Sequence, residues 1–246
     1  MVAKVTVITP TTGKDSLFML IDSIREQRNC NDEPIDIHHI MLWDDKREGS
    51  FIWPDYLKNE VRKPEELQVE EEHYRSTCLV LPSGLCNRSA PGSALRSIGL
   101  MTAQTELVTF ADDDIIWEKN HLSTLTSVID ASGSNWGYCM RNIWTRREDD
   151  QYEFVCLDDF ESVGDESKLS YQMVDNNCMI FKRRYGTSAA CLYRETKEYN
   201  DDRLMYQFLT KHAGAPAKTR QATVNQVCPD RLVEFFRTNG SNPYAI

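Results

Sequence analysis

ELVTFADDDIIW, residues 106–117, decides how this chain is read. Leu107, Val108 and Phe110 form a short apolar, β-prone run that passes straight into Asp112, Asp113 and Asp114. Such a run reads as a buried strand that stops where the acids begin. Three neighbouring carboxylates repel: at about 6 Å and an effective dielectric near 20, each close pair costs on the order of 2–3 kcal/mol. A hard divalent cation removes that cost, and an oxygen-rich site that keeps several waters suits Mg2+ or Mn2+. The competing reading is a solvated acidic turn. Position favours the site, because ligands of an open parallel sheet gather beyond the carboxyl ends of its strands.

Upstream, residues 5–9 (VTVIT) form a first β run that ends at Pro10-Thr11-Thr12-Gly13. Leu17, Leu20, Ile21 and Ile24 then recur at helical spacing, with Asp15 or Ser16 as the cap. Residues 35–42 (IDIHHIML) return to strand character and stop at Trp43-Asp44-Asp45. This β-α-β order predicts a parallel unit with a right-handed crossover, hence an α/β protein. Residues 46–72 are charged, contain Pro54 and Pro64, and read as peripheral loops with a short irregular helix. Residues 78–81 read as a third strand. Pro91-Gly92-Ser93 then opens a helix with Ala94, Leu95, Ile98 and Met101 on one face.

Beyond the acid cluster, residues 121–129 read as a helix, and the alternation of helix and strand then fades. Residues 137–142, 152–157 and 179–181 have strand character, and a helix holding residues 204–209 begins near Asn200-Asp201-Asp202. From Ala213 onward no period is evident.

Composition bounds the function. The 246 residues carry a formal charge of -10, with 41% hydrophobic and 27% charged side chains, which is ordinary for a globular chain. An acidic surface repels a phosphate backbone, so nucleic acid is not an expected partner. No apolar run approaches the roughly 18–20 residues that span a bilayer, although association with a membrane surface stays open. The N-terminal residues lack the charged and long apolar regions of a secretory leader. The eight cysteines are scattered without a C-x-x-C pair, which points to reduced thiols, a cytoplasmic setting and no zinc ribbon.

Three strand ends place ligand chemistry on one edge. Thr11 and Thr12 offer hydroxyls and backbone N–H groups, and Asp44 with Asp45 offers acceptors for a ribose hydroxyl or a base N–H. Arg96, one turn into its helix, could reach a diphosphate, with Gly92 allowing close approach. Other motifs fail. Gly13-Lys14-Asp15 lacks the first glycine and the Ser or Thr of a phosphate-binding loop, and there is no G-x-G-x-x-G, H-E-x-x-H or G-x-S-x-G. His38 and His39 fall inside a strand, where their rings face opposite sides and share no metal.

The ordered set P-T-T-G, D-D, G-S-A-L-R and F-A-D-D-D-I-I-W resembles GT-A-type glycosyltransferases, closest to the family 2 pattern. The resemblance is strong over residues 4–125 and weaker through residues 177–183 and 200–204. It implies a single GT-A domain over residues 1–246: a mostly parallel central sheet flanked by helices, with residues 1–125 binding the nucleotide sugar and residues 126–246 forming a less regular acceptor side. Carried over by position, Asp112 and Asp114 match the D-x-D. Asp114 would be the direct metal ligand, and Asp112 would lie nearer the ribose while sharing the metal shell. Pro10, Thr11, Thr12, Asp44, Asp45 and Asp113 would line the donor pocket, and Arg96 would face the diphosphate. His212 would complete the metal shell. Asp201-Asp202 is similar to the family's E-D pair, whose second acid is the catalytic base. Asp stands here for Glu at position 201, and Arg203 follows, so the base stays open between Asp202, Asp201 and Asp175.

The resemblance implies a metal-dependent (Mn2+ or Mg2+) hexosyltransferase in glycan or polysaccharide synthesis. It would move a sugar from a nucleotide-diphosphate donor, with UDP as the family expectation, to a glycan or other hydroxyl acceptor with inversion. Trp117, Trp136 and Trp144 could stack on sugar or fill the core. Two rivals remain: a sugar-phosphate nucleotidyltransferase, and a non-catalytic domain that binds sugar nucleotide or glycan.

Overall fold

The computed structural model describes residues 4–13, 16–44, 67–81, 92–147, 151–160, 173–195 and 201–239. The first half alternates as expected: β1 (Val5–Thr11), α1 (Ser16–Arg25), β2 (Ile37–Asp44), β3 (Tyr74–Leu81), α2 (Ser93–Thr102) and β4 (Leu107–Phe110). β1 and β2 are buried along nearly their whole length, including the Thr and His side chains among their apolar residues. α1 buries Leu17, Leu20, Ile21 and Ile24, the four positions that its spacing singled out. α2 buries Leu95, but Met101 is 72% exposed and belongs to the outer face.

β5 (Ile115–Trp117), α3 (His121–Ser132), β6 (Trp136–Arg146), β7 (Tyr152–Asp158), β8 (Met179–Lys182), α4 (Arg183–Ala189), α5 (Leu192–Glu195), α6 (Asp201–Ala213), β9 (Ala217–Val227) and α7 (Asp230–Asn239) follow. β9 corrects the aperiodic reading of the chain after Ala213. Its sequence shows no apolar alternation because only some of its side chains are buried, such as Ala217, Thr223 and Val224. It is a strand because its backbone pairs with β6 on one side and β5 on the other. The stretch expected to be peripheral also ends inside the protein: Leu67 is buried, and its carbonyl accepts from the Ser76 hydroxyl at 2.6 Å.

A single sheet runs β3-β2-β1-β4-β8-β6-β9-β5, with β7 attached to β6. From β3 to β4 every pairing is parallel; beyond β4 the sheet is mixed. Strand order reverses at β1, whose neighbours are β2 and β4, and this is where an open α/β sheet leaves a crevice at its carboxyl edge. β8 is antiparallel to β4, with Thr109 opposite Ile180, so the chain entering β8 passes beside the carboxyl end of β4. This mixed GT-A-type α/β architecture therefore brings residues 175–177 to Asp112.

The paired histidines behave as their strand position requires. His39 is fully buried between the Thr9 and Tyr74 hydroxyls, at 2.8 Å each, whereas His38 meets Thr77 at 3.1 Å. Burial, with Arg75 nearby, lowers His38 to about 4; burial, with His38 nearby, lowers His39 to about 3. Both rings are neutral at physiological pH.

α2 rests close on the sheet at Gly99. A Cβ there would lie 2.4 Å from Ile8 Cγ2 and 2.9 Å from Leu42 Cδ1, both in the packed core. Gly99→Ala is expected to destabilise the fold by about 1–3 kcal/mol through overpacking, read as a lower urea midpoint at unchanged m-value.

Candidate active site

The three aspartates after β4 have three different surroundings. Asp113 is buried and accepts from the Thr11 hydroxyl at 2.8 Å and the Thr12 N–H at 3.4 Å. The Thr11 oxygen in turn accepts from the Gly13 N–H at 2.9 Å. Thr11 and Asp113 thus satisfy each other and close the turn after β1; neither presents its polar atoms to a crevice. Gly13 makes that turn with φ 81°, and a Cβ on it would lie 2.3 Å from the Trp43 ring.

Asp112 is half-buried and held on every side. Its Oδ1 accepts from Arg96 Nη2 at 2.5 Å and its Oδ2 from Asn177 Nδ2 at 3.1 Å, while its N–H donates to Asn177 Oδ1 at 2.6 Å. Asp114 is exposed at the mouth of the crevice. Asp44, at the end of β2, is 2% exposed, and its Oδ1 has no hydrogen-bond partner among the described residues. A buried carboxylate oxygen in that state suits a donor brought by a ligand. Asp45 lies outside the described residues. Pro10 is buried beside Gly92, whose Cβ would come within 3.3 Å of the proline ring.

Arg96 departs from the expected diphosphate-facing role. It is 7% exposed, and besides Asp112 its guanidinium reaches Asp201 Oδ2 at 3.5 Å. Burial works against its charge, but Asp112 and the other nearby acids more than offset that and raise its pKa. Arg96 therefore joins the acid cluster after β4 to the acid pair that opens α6. Asp201 also accepts from the Ser93 hydroxyl at the start of α2. Asp202 accepts from the Asn176 N–H at 3.1 Å. Burial first, and the Asp175 carboxylate second, push Asp202 up to about 8, against the pull of Arg96. With that pKa the carboxyl is only partly ionised near neutral pH, and it is the ionised form that can accept a proton.

Asp175 is in the same neighbourhood but committed elsewhere. Its Oδ1 accepts from the N–H and Nδ2 of Asn177, at 2.9 and 2.8 Å, and its Oδ2 from Arg141. Sequence reasoning did not single out Arg141 or Asn177 as site residues: each is a polar residue within a largely apolar stretch, and only the sheet shows what they meet. His212 is not brought to the cluster. It is exposed near the far end of α6, ten residues from Asp202, about 15 Å along the helix axis, and packs its ring on Phe208.

The three tryptophans are packing residues. Trp136 is fully buried with Nε1 on the Gly214 carbonyl at 2.7 Å, Trp117 stacks on His121, and Trp144 packs edge-on against Phe154. A cavity of about 700 Å3 lined by Arg28, Lys119, Ser123 and Gln221 among others shares no residue with this cluster.

Among the described residues, no three His, Cys, Asp or Glu side chains are grouped to hold a metal by themselves. An Mg2+-class ion needs only one or two protein carboxylates beside substrate phosphates and water, and Asp114 with Asp112 fits that share.

No protein-family model matches the chain, and no curated protein matches its sequence. Solved structures do. S. aureus TarS, residues 1–349, superposes with a TM-score of 0.62 at 17% identity, covering 96% of this chain and 64% of that one. Its complex with UDP gives 0.59 at 17% identity over 95% and 63%, and its complex with UDP-GlcNAc gives 0.57 at 14% over 92% and 59%. The fold is thus that of the TarS structures, the GT-A-type fold that the sequence resemblance implies. The chain spans 64% or less of the length of these TarS structures.

The raised Asp202 links stability to pH. Its native pKa of about 8 lies above the ordinary 3.8, so between those values the native protein keeps a proton that the unfolded chain releases. This group's contribution is complete in acid and is lost as the pH rises through that window. Asp202→Asn, which stays neutral, is expected to gain stability relative to the parent between pH 5 and pH 8, as measured by urea unfolding at both.

Proposed function

We propose that this protein transfers a sugar from a nucleoside-diphosphate sugar, with UDP as the nucleotide, to a hydroxyl acceptor. One observation carries the reading. The strand-end carboxylates Asp112 and Asp114 and the buried acid pair Asp201-Asp202 converge on one edge, joined through Arg96. The unsatisfied Asp44 oxygen suits the ribose or base of the nucleotide, and the TarS structures with UDP and UDP-GlcNAc support a donor of this class.

Asp202 takes the proton of the acceptor hydroxyl as that oxygen attacks the anomeric carbon opposite the departing diphosphate, which inverts the configuration. Asp201, tied to Ser93 and Arg96, fixes the start of α6 and with it the Asp202 carboxylate. Among the described residues, Asp112 and Asp201 pair with the Arg96 guanidinium and Asp158 and Asp175 with that of Arg141, with Asp202 beside them. A diphosphate entering so acidic an edge requires charge compensation. Mn2+ or Mg2+, held by Asp114 with Asp112 and the donor phosphates, would supply it together with Lewis-acid stabilisation of the leaving group. In this reading residues 1–125 bind the donor, and residues 126–246 build the acceptor side while contributing Asp202. The thiols of the described cysteines are all free, which supports a reducing, cytoplasmic setting.

Calorimetric titration with UDP is expected to show binding that depends on Mn2+ and is lost in Asp114→Asn. Asp202→Asn is expected to keep UDP affinity while sugar transfer or donor hydrolysis falls by about 10²–10⁴-fold, the usual contribution of a general base. Full turnover in Asp202→Asn would overturn the reading. Formation of UDP-sugar from UTP and a sugar phosphate would favour the nucleotidyltransferase instead. UDP binding without any turnover in the parent protein would favour a binding domain.

A further inference from the structure

We propose that Asn177, itself fixed by the buried Arg141–Asp175 pair, is the positioning residue that holds the Asp112 side chain in place for the donor. This deepens the transferase reading and rests on it.

Asn177 is 2% exposed and faces carboxylates on two sides. Its Nδ2 donates to Asp112 Oδ2 at 3.1 Å and to Asp175 Oδ1 at 2.8 Å, while its Oδ1 accepts the Asp112 N–H at 2.6 Å. Only an amide can do this. A carboxylate at position 177 has no proton to give, and a hydroxyl is too short to bond the side chain and the backbone of Asp112 together. The amide also separates two like charges that would otherwise face each other in a poorly hydrated place. The outer oxygen of each carboxylate is covered by a guanidinium, Arg96 on Asp112 and Arg141 on Asp175. The array therefore runs cation, anion, amide, anion, cation.

The far end is anchored in the sheet. Arg141 projects from β6 and bonds Asp158 of β7 through Nε at 2.9 Å and Nη2 at 2.8 Å, and Gln226 of β9 through Nη1 at 2.6 Å. Its guanidinium also lies over the Phe160 and Phe236 rings, at 5.1 and 5.5 Å. Asp175 closes the turn at residues 176–178 by accepting the Asn177 N–H at 2.9 Å, so the backbone that carries the amide is fixed as well. With Arg96 on one oxygen and Asn177 on the other, Asp112 has one orientation. The bond from the Asp112 N–H to Asn177 Oδ1 also fixes the backbone at the start of the turn that carries Asp114.

The test is UDP titration in Mn2+ and in EDTA for the parent, Asn177→Ala, Asn177→Ser and the control Asn135→Ala. Asn135 is a half-buried asparagine bonded to the Ala213 carbonyl, away from the site. The ratio of the two UDP affinities is expected to fall about 10–100-fold in both Asn177 variants, the usual cost of losing a group that orients a metal-binding side chain. Asn135→Ala is expected to lower Tm yet keep the parent ratio. Arg141→Lys, which keeps the charge but not the fork, is expected to shift the ratio the same way by a smaller factor. If Asn177→Ala does not fold, the smaller change to Ser decides. A folded Asn177→Ser with the parent ratio overturns this inference and leaves the transferase reading standing. A parent protein whose UDP binding ignores Mn2+ overturns both.

Discussion

The structure depends on how it accommodates a group of aspartates gathered where the parallel and mixed parts of the sheet meet. Asp112, Asp158, Asp175, Asp201 and Asp202 would repel one another strongly in so little water. Arg96 and Arg141 each bridge two of them, and both guanidiniums are buried and fully charged. Buried pairs of this kind add little net stability over an apolar core, but removing one partner leaves an uncompensated charge and typically costs about 3–5 kcal/mol. Asp202 shows the remainder of the problem: burial first, and the neighbouring Asp175 carboxylate second, push it up to about 8.

The topology explains why the acids meet at all. Asp112 follows β4, Asp175 precedes β8 and Asp202 opens α6, three places far apart in the chain. An antiparallel β8 beside β4 carries residues 175–177 across the carboxyl edge. α5 and α6, in contact with α2 and α4, bring the acid pair in from the side, and the Ser93–Asp201 hydrogen bond joins the start of α2 to the start of α6. The second half of the chain thus completes the edge that the first half begins.

The three adjacent aspartates show how one sequence feature divides its labour. Asp113 points into the protein and ties the end of β4 to the turn after β1, so the crevice keeps its shape. Asp112 is oriented by Arg96 and Asn177, and Asp114 faces solvent. The mutual repulsion that first draws attention to the trio is relieved inside the fold for Asp112 and Asp113, while Asp114 is the exposed member.

Much was legible in residue order alone. The β-prone runs at residues 5–9, 35–42 and 106–110, with helical spacing between them, indicated parallel strands joined by crossovers. The acids at the strand ends, and the pair before residue 204, marked the edge where ligands gather. β9 was hidden because its strand state comes from backbone pairing on both sides and not from its side chains. Arg141 and Asn177 were hidden for a related reason: a buried polar residue is defined by its partners, and Asp158, Asp112 and Gln226 lie 17, 65 and 85 positions from the residues they bond. Arg96 was visible as a cation near a helix start suited to a diphosphate, but its pairing with Asp112 and Asp201 shows only in the tertiary structure. Pattern within a chain reports burial and period; which charges meet is settled only when the sheet closes.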